Sequence, residues 1–149
     1  MNQKKTTVLF LCTHNSCRSQ MAEGLLRSMY PDQYESYSAG TEKTRVHPYA
    51  IEVMKEIGID ITNHSSKTVG QFKHKSFDLV ITICDKAKEA CPFFPGKKVL
   101  HQSFSDPSVI KGTDEMILNA FRKTRDEIET WIQHNFNHIK TIHIQPNGN

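Results

Sequence analysis

Long apolar runs are missing from this chain. The longest, Val8 to Cys12, is far too short for a membrane span or for the core of a signal peptide, which predicts a cytoplasmic protein with no membrane partner. Aromatic residues are sparse at 9%, and Lys and Arg are scattered, so no basic stripe offers itself to nucleic acid. There is no internal repeat or low-complexity tract. Cysteine is limited to four residues, which in a cytosolic chain of this size point to reactive or metal-binding thiols rather than structural disulfides. What remains is ordinary composition: 149 residues, 37% hydrophobic, 23% charged, with a formal net charge of +3. That is enough chain for a single core without staples, and the mild positive charge suits small anions.

The informative stretch is Val8-Leu9-Phe10-Leu11-Cys12-Thr13-His14-Asn15-Ser16-Cys17-Arg18-Ser19. An apolar run of β-formers stops at Cys12; a short polar loop follows, then Arg18, Ser19 and a helical stretch from Gln20 to Tyr30. A buried strand that feeds a tight loop and opens a helix gathers backbone N–H groups at the positive end of a helix dipole, which is a site for an oxyanion. Cys12 at the start of that loop supplies a nucleophile, and Arg18 at its end supplies a planar fork for two oxygens. The same field is expected to favour the Cys12 thiolate. The plainer alternative is a core cysteine with a surface arginine nearby.

Taken in order, the chain reads as strand Thr7–Leu11, a helix capped by Ser19 with Met21, Leu25, Leu26 and Met29 inward, and strand Tyr34–Ala39 closed by Gly40. Pro48 opens a second helix with Ala50, Val53, Met54 and Ile57 inward, stopped by Gly58. Ser65–Phe72 is a short helix or turn, Phe77–Cys84 a strand buried on both faces, Asp85–Ala90 a short helix and Lys97–His101 a fourth strand. A loop from Phe104 to Gly112 leads to a helix capped at Thr113-Asp114 and running to about Asn135, with Ile117, Phe121, Ile128, Trp131 and Ile132 inward. This order predicts an α/β domain over residues 1–136, a four-stranded parallel sheet with helices on both faces and the anion loop after strand 1. Residues 137–149 read as a flexible tail.

Cys84 ends the buried strand and so lies at the same sheet edge as Cys12, while Cys91 stands at the far end of the short helix. Along an intact helix the two are about 10 Å apart, beyond the roughly 7 Å that a disulfide spans between Cα atoms. A bond between them therefore requires the helix to unwind. The spacing is not a usual zinc spacing, and no histidine lies at a helpful offset, so no metal site is expected. Asp106-Pro107 offers a carboxyl that can protonate a leaving oxygen, or merely forms a turn.

Together, the run Cys12 to Gly24, then Tyr37-Ser38-Ala39-Gly40, Cys84 with Cys91-Pro92, and Asp106-Pro107 resemble the thioredoxin-coupled arsenate reductases, which share the fold of the low-molecular-weight tyrosine phosphatases. The loop and Asp-Pro are common to both groups; Gln20 and the Cys84/Cys91 pair point to the reductases. The resemblance implies that arsenate sits in the loop formed by Thr13, His14, Asn15, Ser16, Cys17 and Arg18, and that Cys12 attacks arsenic while Asp106 protonates the departing oxygen. Cys84 then attacks Cys12, Cys91 attacks Cys84, and thioredoxin, the external reductant, reopens the last disulfide. Ser19 would hold the Cys12 thiolate, Asn15 and Ser38 would brace the loop, and Cys17 would be a packed thiol. Some relatives hold a monovalent cation at residues matching Asn15, Glu23, Ser38 and an acidic residue; Lys67 stands at that acidic position, so its ammonium is expected to replace the ion. His14 replaces a usual glycine and would put an imidazole at the rim. A monomer with no bound cofactor is expected. Two other functions fit the loop: a phosphotyrosine or phosphomonoester phosphatase, and a non-catalytic oxyanion or arsenite sensor.

Overall fold

The computed structural model describes residues 4–85 and 92–144, with side chains as far as residue 137. The predicted short helix from 86 to 90 and Cys91 lie outside the described residues. Four parallel strands, β1 (Thr6–Leu11), β2 (Tyr34–Ala39), β3 (Leu79–Thr82) and β4 (Lys98–His101), form one sheet in the order β2-β1-β3-β4. Among the described residues three α-helices accompany it: α1 (Arg18–Met29), α2 (Pro48–Glu56) and α3 (Asp114–Ile144).

β1 is central, and that explains its unbroken apolar sequence. Val8 and Phe10 pack into one cluster with α1, α2 and α3, while Leu9 and Leu11 pack into a second cluster on the opposite face. A strand covered on both faces has no polar side to show. The chain turns one way from β1 to β2 and the other way from β2 to β3 and on to β4. The strand order thus reverses direction at β1, and the carboxyl end of β1 is where the sheet parts.

The two covers differ in kind. The α-helices share the first face, around Met21, Leu25, Val53, Phe121, Ile128 and Ile132. Among the described residues, the second face is closed by the 3-10 helix Val69–Phe72 and an aromatic group, Tyr37, Phe72, Phe77 and Phe94, meeting edge to face at 5.4–5.7 Å.

Three local expectations need revision. Ser19 does not cap α1: Cys17 holds that position without a side-chain cap, and Ser19 points into the anion loop. Ile57 is not inward; it caps the C-terminus of α2 with more than a third of its surface exposed, just before Gly58 turns at φ +81°. α3 runs beyond Asn135 to Ile144, because no proline or glycine interrupts the chain before Pro146.

α2 begins in an unusual way. His47 Nδ1 accepts the Tyr49 N–H at 3.1 Å, so the cap exists only while that nitrogen is unprotonated. The ring packs against Phe121 at 4.8 Å. Burial holds the His47 pKa below its usual value; Arg45 adds to this and Asp106 opposes it. A depressed histidine contributes its stability above the unfolded value near 6.5 and loses it as pH falls through the lower folded value. Replacing it with Asn keeps a capping oxygen that does not titrate. In denaturant unfolding between pH 7.5 and 5, His47→Asn is expected to flatten the loss of stability by about 1 kcal/mol; an unchanged slope would show that the cap is not responsible.

Candidate active site

The loop from Cys12 to Arg18 leaves β1 at this parting of the sheet and enters α1. Its shape is set by Asn15, which adopts a left-handed backbone conformation at φ 49° and is fully buried. Asparagine tolerates that region better than other residues with a β-carbon. Every polar atom of its side chain is engaged: Oδ1 accepts from Gln20 Nε2 at 2.9 Å and from the Lys67 N–H at 2.7 Å, and Nδ2 donates to Ser19 Oγ at 2.8 Å. Ser19 Oγ in turn lies 2.9 Å from Cys12 Sγ. The carboxyl-terminal end of β2 presses on the same loop. A β-carbon on Gly40 would lie 2.7–2.8 Å from Thr13 O, Asn15 N and Cys12 O, all backbone atoms that cannot swing aside.

Arg18 is almost fully buried at the start of α1. Its Nη1 donates to the Phe104 carbonyl at 3.2 Å, and its Nη2 stands 3.4 Å from Asp106 Oδ2. The other Asp106 oxygen accepts from the Ser108 N–H at 2.9 Å and from the Ser108 hydroxyl at 2.7 Å, opening the 3-10 helix Pro107–Val109. The Asp-Pro pair is therefore both a turn and a carboxylate at the site. α1 has no side-chain cap and no acidic residue in its first turn. Its leading N–H groups and a held guanidinium thus converge where a tetrahedral anion would lie beside Cys12.

The thiols separate by environment. Cys17 is a free, buried thiol whose pKa is pushed up to about 12, chiefly by burial; Asp106 and Cys12 add to the rise, while the Ser16 hydroxyl and Arg18 oppose it. It is a packed group. Cys12 is also a free thiol. Cys84 is disulfide-bonded and fully buried, two residues beyond the end of β3. The Ile83 N–H donates to Leu11 O at 2.8 Å, so Cys12 and Cys84 leave neighbouring strands at the same edge and join the same buried cluster.

Behind the loop, Ser38 donates its hydroxyl to Glu23, which also pairs with Arg27. Lys67 Nζ lies 3.8 Å from the same carboxylate and donates to Ser65 O at 2.6 Å. Glu23, Ser38, Asn15 and Lys67 thus lie together behind the loop. His14 lies at the rim, half exposed, with Nε2 3.6 Å from Glu42. Thr13 and Ser16 complete the loop; the Thr13 carbonyl accepts from the Thr41 N–H and the Ser16 carbonyl from the His47 N–H. Among the described residues, no group of three or more His, Cys, Asp or Glu side chains is arranged to hold a metal. Nor is any described helix long and apolar enough to cross a membrane.

Sequence reasoning gave no role to four groups here. Gln20 and His64 brace Asn15 from outside, Ser66 donates to the His14 carbonyl at 3.1 Å, and the Phe104 carbonyl holds Arg18. In the sequence, Gln20 opens a helical stretch and Gly40 closes a strand, and both belong to the family motif, but neither shows its contact with the loop.

A thiol at the end of a central parallel strand, with an arginine closing the loop and an Asp-Pro carboxylate facing it, defines a class. Residues 7–143 match the model of the low molecular weight phosphotyrosine protein phosphatase family, and the chain belongs to that family. Within it, the chain is 47% identical over 129 residues to an arsenate reductase of Halalkalibacterium halodurans, covering 86% of this chain and 91% of that one. Its fold matches a solved arsenate reductase in a phosphate-binding state with a TM-score of 0.73, at 32% identity over 87% of this chain and 95% of the other. A thioredoxin-dependent arsenate reductase of Corynebacterium glutamicum matches with a TM-score of 0.62 and 28% identity, over 89% of this chain and 64% of that one.

The contact at Gly40 yields a direct test. Gly40→Ala is expected to cost about 1–3 kcal/mol in denaturant unfolding, since backbone must yield on all sides. Gly70→Ala, whose nearest neighbour is a side-chain atom at 3.7 Å, should stay within about 0.5 kcal/mol of wild type. Equal stability of the two variants would show that the loop does not need this close approach.

Proposed function

We propose that this protein is an arsenate reductase, a cytoplasmic monomer that takes electrons from thioredoxin. The observation that carries the reading is the state and position of Cys84: it is disulfide-bonded, and it leaves β3 beside the point where Cys12 leaves β1. A phosphatase of this fold has work for Cys12, Arg18 and Asp106, and none for a disulfide at that edge.

On this reading the anion binds across the loop from Thr13 to Arg18, with charge matched by the guanidinium and the α1 N-terminus. The Cys12 thiolate attacks arsenic, and an arsenic-bound oxygen leaves as water with a proton from Asp106. The Cys84 thiolate next attacks Cys12 Sγ. The arsenic–sulfur bonding pair stays on arsenic, which falls from the pentavalent to the trivalent state and departs as arsenite, leaving Cys12 bonded to Cys84. Cys91 then attacks Cys84 and frees the Cys12 thiolate. The two electrons given to arsenic are restored when a thioredoxin dithiol reduces the Cys84–Cys91 disulfide. The C. glutamicum relative, described as thioredoxin-dependent, supports that choice of reductant.

Arsenate-dependent NADPH oxidation through thioredoxin reductase and thioredoxin tests the scheme. Wild type should turn over, Cys84→Ser and Cys91→Ser should fall by at least about a hundredfold, and one turnover of reduced protein should leave a Cys84–Cys91 disulfide. Full-speed turnover in either serine variant would reject the relay. Hydrolysis of an aryl phosphate by Cys84→Ser would fit a residual phosphatase activity of the same loop.

On this reading the Lys67 ammonium, 3.8 Å from the Glu23 carboxylate, stands in for the monovalent cation that some relatives hold. Replacing sodium by potassium at constant ionic strength should therefore leave kcat/KM unchanged within about twofold. A clear rise with potassium would show that an ion still enters.

A further inference from the structure

His64 lies far from the anion loop in sequence and takes no part in the relay, yet it is half-buried with both ring nitrogens engaged. Its Nδ1 is 2.9 Å from Gln20 Oε1 and its Nε2 is 2.7 Å from Arg27 Nη1. The direction of each hydrogen bond can be worked out. Gln20 Nε2 faces three oxygens, Asn15 O at 3.0 Å, Asn15 Oδ1 at 2.9 Å and Ser65 O at 2.9 Å. Acceptors on that side fix the amide with its nitrogen inward and its oxygen toward His64. An oxygen can only accept, so His64 must carry a proton on Nδ1. Arg27 can only donate, so Nε2 of the same ring must be bare. The imidazole is neutral and in one tautomer.

The sense continues inward without reversal. Gln20 Nε2 donates to Asn15 Oδ1, and Asn15 Nδ2 donates to Ser19 Oγ at 2.8 Å. Ser19 Oγ, already accepting, is left to direct its own proton at Cys12 Sγ, 2.9 Å away. Bonds that run in one direction polarise one another, and this row starts at a cation and ends on sulfur.

We propose that His64 is a positioning residue for the nucleophile: as an Nδ1–H donor it orients Gln20, and through Asn15 and Ser19 it holds a donor on the Cys12 thiolate. The charged groups facing the ring agree with a neutral donor. Arg27 and Glu23 reach it from α1, and Lys67 and Asp60 from the segment between α2 and the 3-10 helix. Burial first, then Arg27 and Lys67, keep the ring from taking up a second proton, against Glu23 and Asp60.

The test reads the sulfur itself, so it succeeds or fails whichever oxyanion the loop accepts. Reduced full-length protein is alkylated with iodoacetamide, and the rate at the Cys12 peptide is followed by mass spectrometry at pH 7 and pH 9.5. The ratio of the two rates reports thiolate availability and cancels changes in access. His64→Leu is expected to lower that ratio about threefold or more. His64→Asn, whose amide nitrogen falls where Nδ1 was, is expected to stay within about twofold of wild type. His64→Gln keeps a polar group but reaches the outer nitrogen position, so it should behave as Leu does, and it carries the comparison should the Leu variant not fold. A wild-type ratio in Leu or Gln overturns the proposal. So does an Asn variant that falls as far as Gln, because the effect would then follow the ring and not the donor.

Discussion

The left-handed turn at Asn15 is the constraint on which the site depends. A residue with a β-carbon at φ 49° is strained unless its surroundings over-determine it. Here they do: backbone and side-chain atoms of Asn15 are held from α1 by Ser19 and Gln20 and from the segment before the 3-10 helix by Lys67, while the end of β2 leaves room only for glycine at position 40. The turn brings Ser19 under Cys12 and lets α1 begin at Arg18. Were the turn to relax, the serine, the arginine and the helix terminus would lose their common focus.

This explains an odd feature of α1. Its inward face is not a simple apolar stripe, for Arg18, Ser19, Gln20 and Glu23 are as buried as Met21, Leu25 and Leu26. Burying such groups costs several kcal/mol each unless they are paired. Each is answered by a specific partner: Phe104 O and Asp106 for Arg18, Cys12 and Asn15 for Ser19, loop carbonyls for Gln20, and Ser38, Arg27 and Lys67 for Glu23. The apolar face anchors the helix to the sheet, and the polar face shapes the loop.

How much of this was legible follows from the range of each interaction. Strand β1 could be read because a strand buried on both faces must be apolar throughout, and the loop after it because cysteine, arginine and helix start lie within one short stretch. Asp106 could be noticed as a carboxyl but not aimed, since its partner Arg18 is far off in sequence and only the β4–α3 connection brings them together. Ser19 looks like a cap for a different reason: helix propensity alone does not show that α1 already starts at Arg18, which leaves the Ser19 hydroxyl to Cys12 and Asn15 in the preceding loop. Gln20 meets Ser65 across 45 positions and His64 across 44, and no periodicity encodes such contacts. The reach of α3 past Asn135 is hard to read because Ile139, Ile142 and Ile144 alternate only weakly among polar neighbours, whereas the first true breaker is Pro146.

The Arg18–Asp106 pair shows how a buried cation is held in place at the loop. A nearly buried guanidinium is tolerable only with counter-charge, and its partners include one Asp106 carboxylate oxygen and the Phe104 carbonyl. A doubly charged oxyanion entering the loop offers the arginine a stronger, bidentate match. Arg18 then shares its charge between two anions, so the hold on Asp106 weakens as the anion arrives. The Ser108 contacts keep the carboxyl at the mouth of the loop whichever partner the arginine takes.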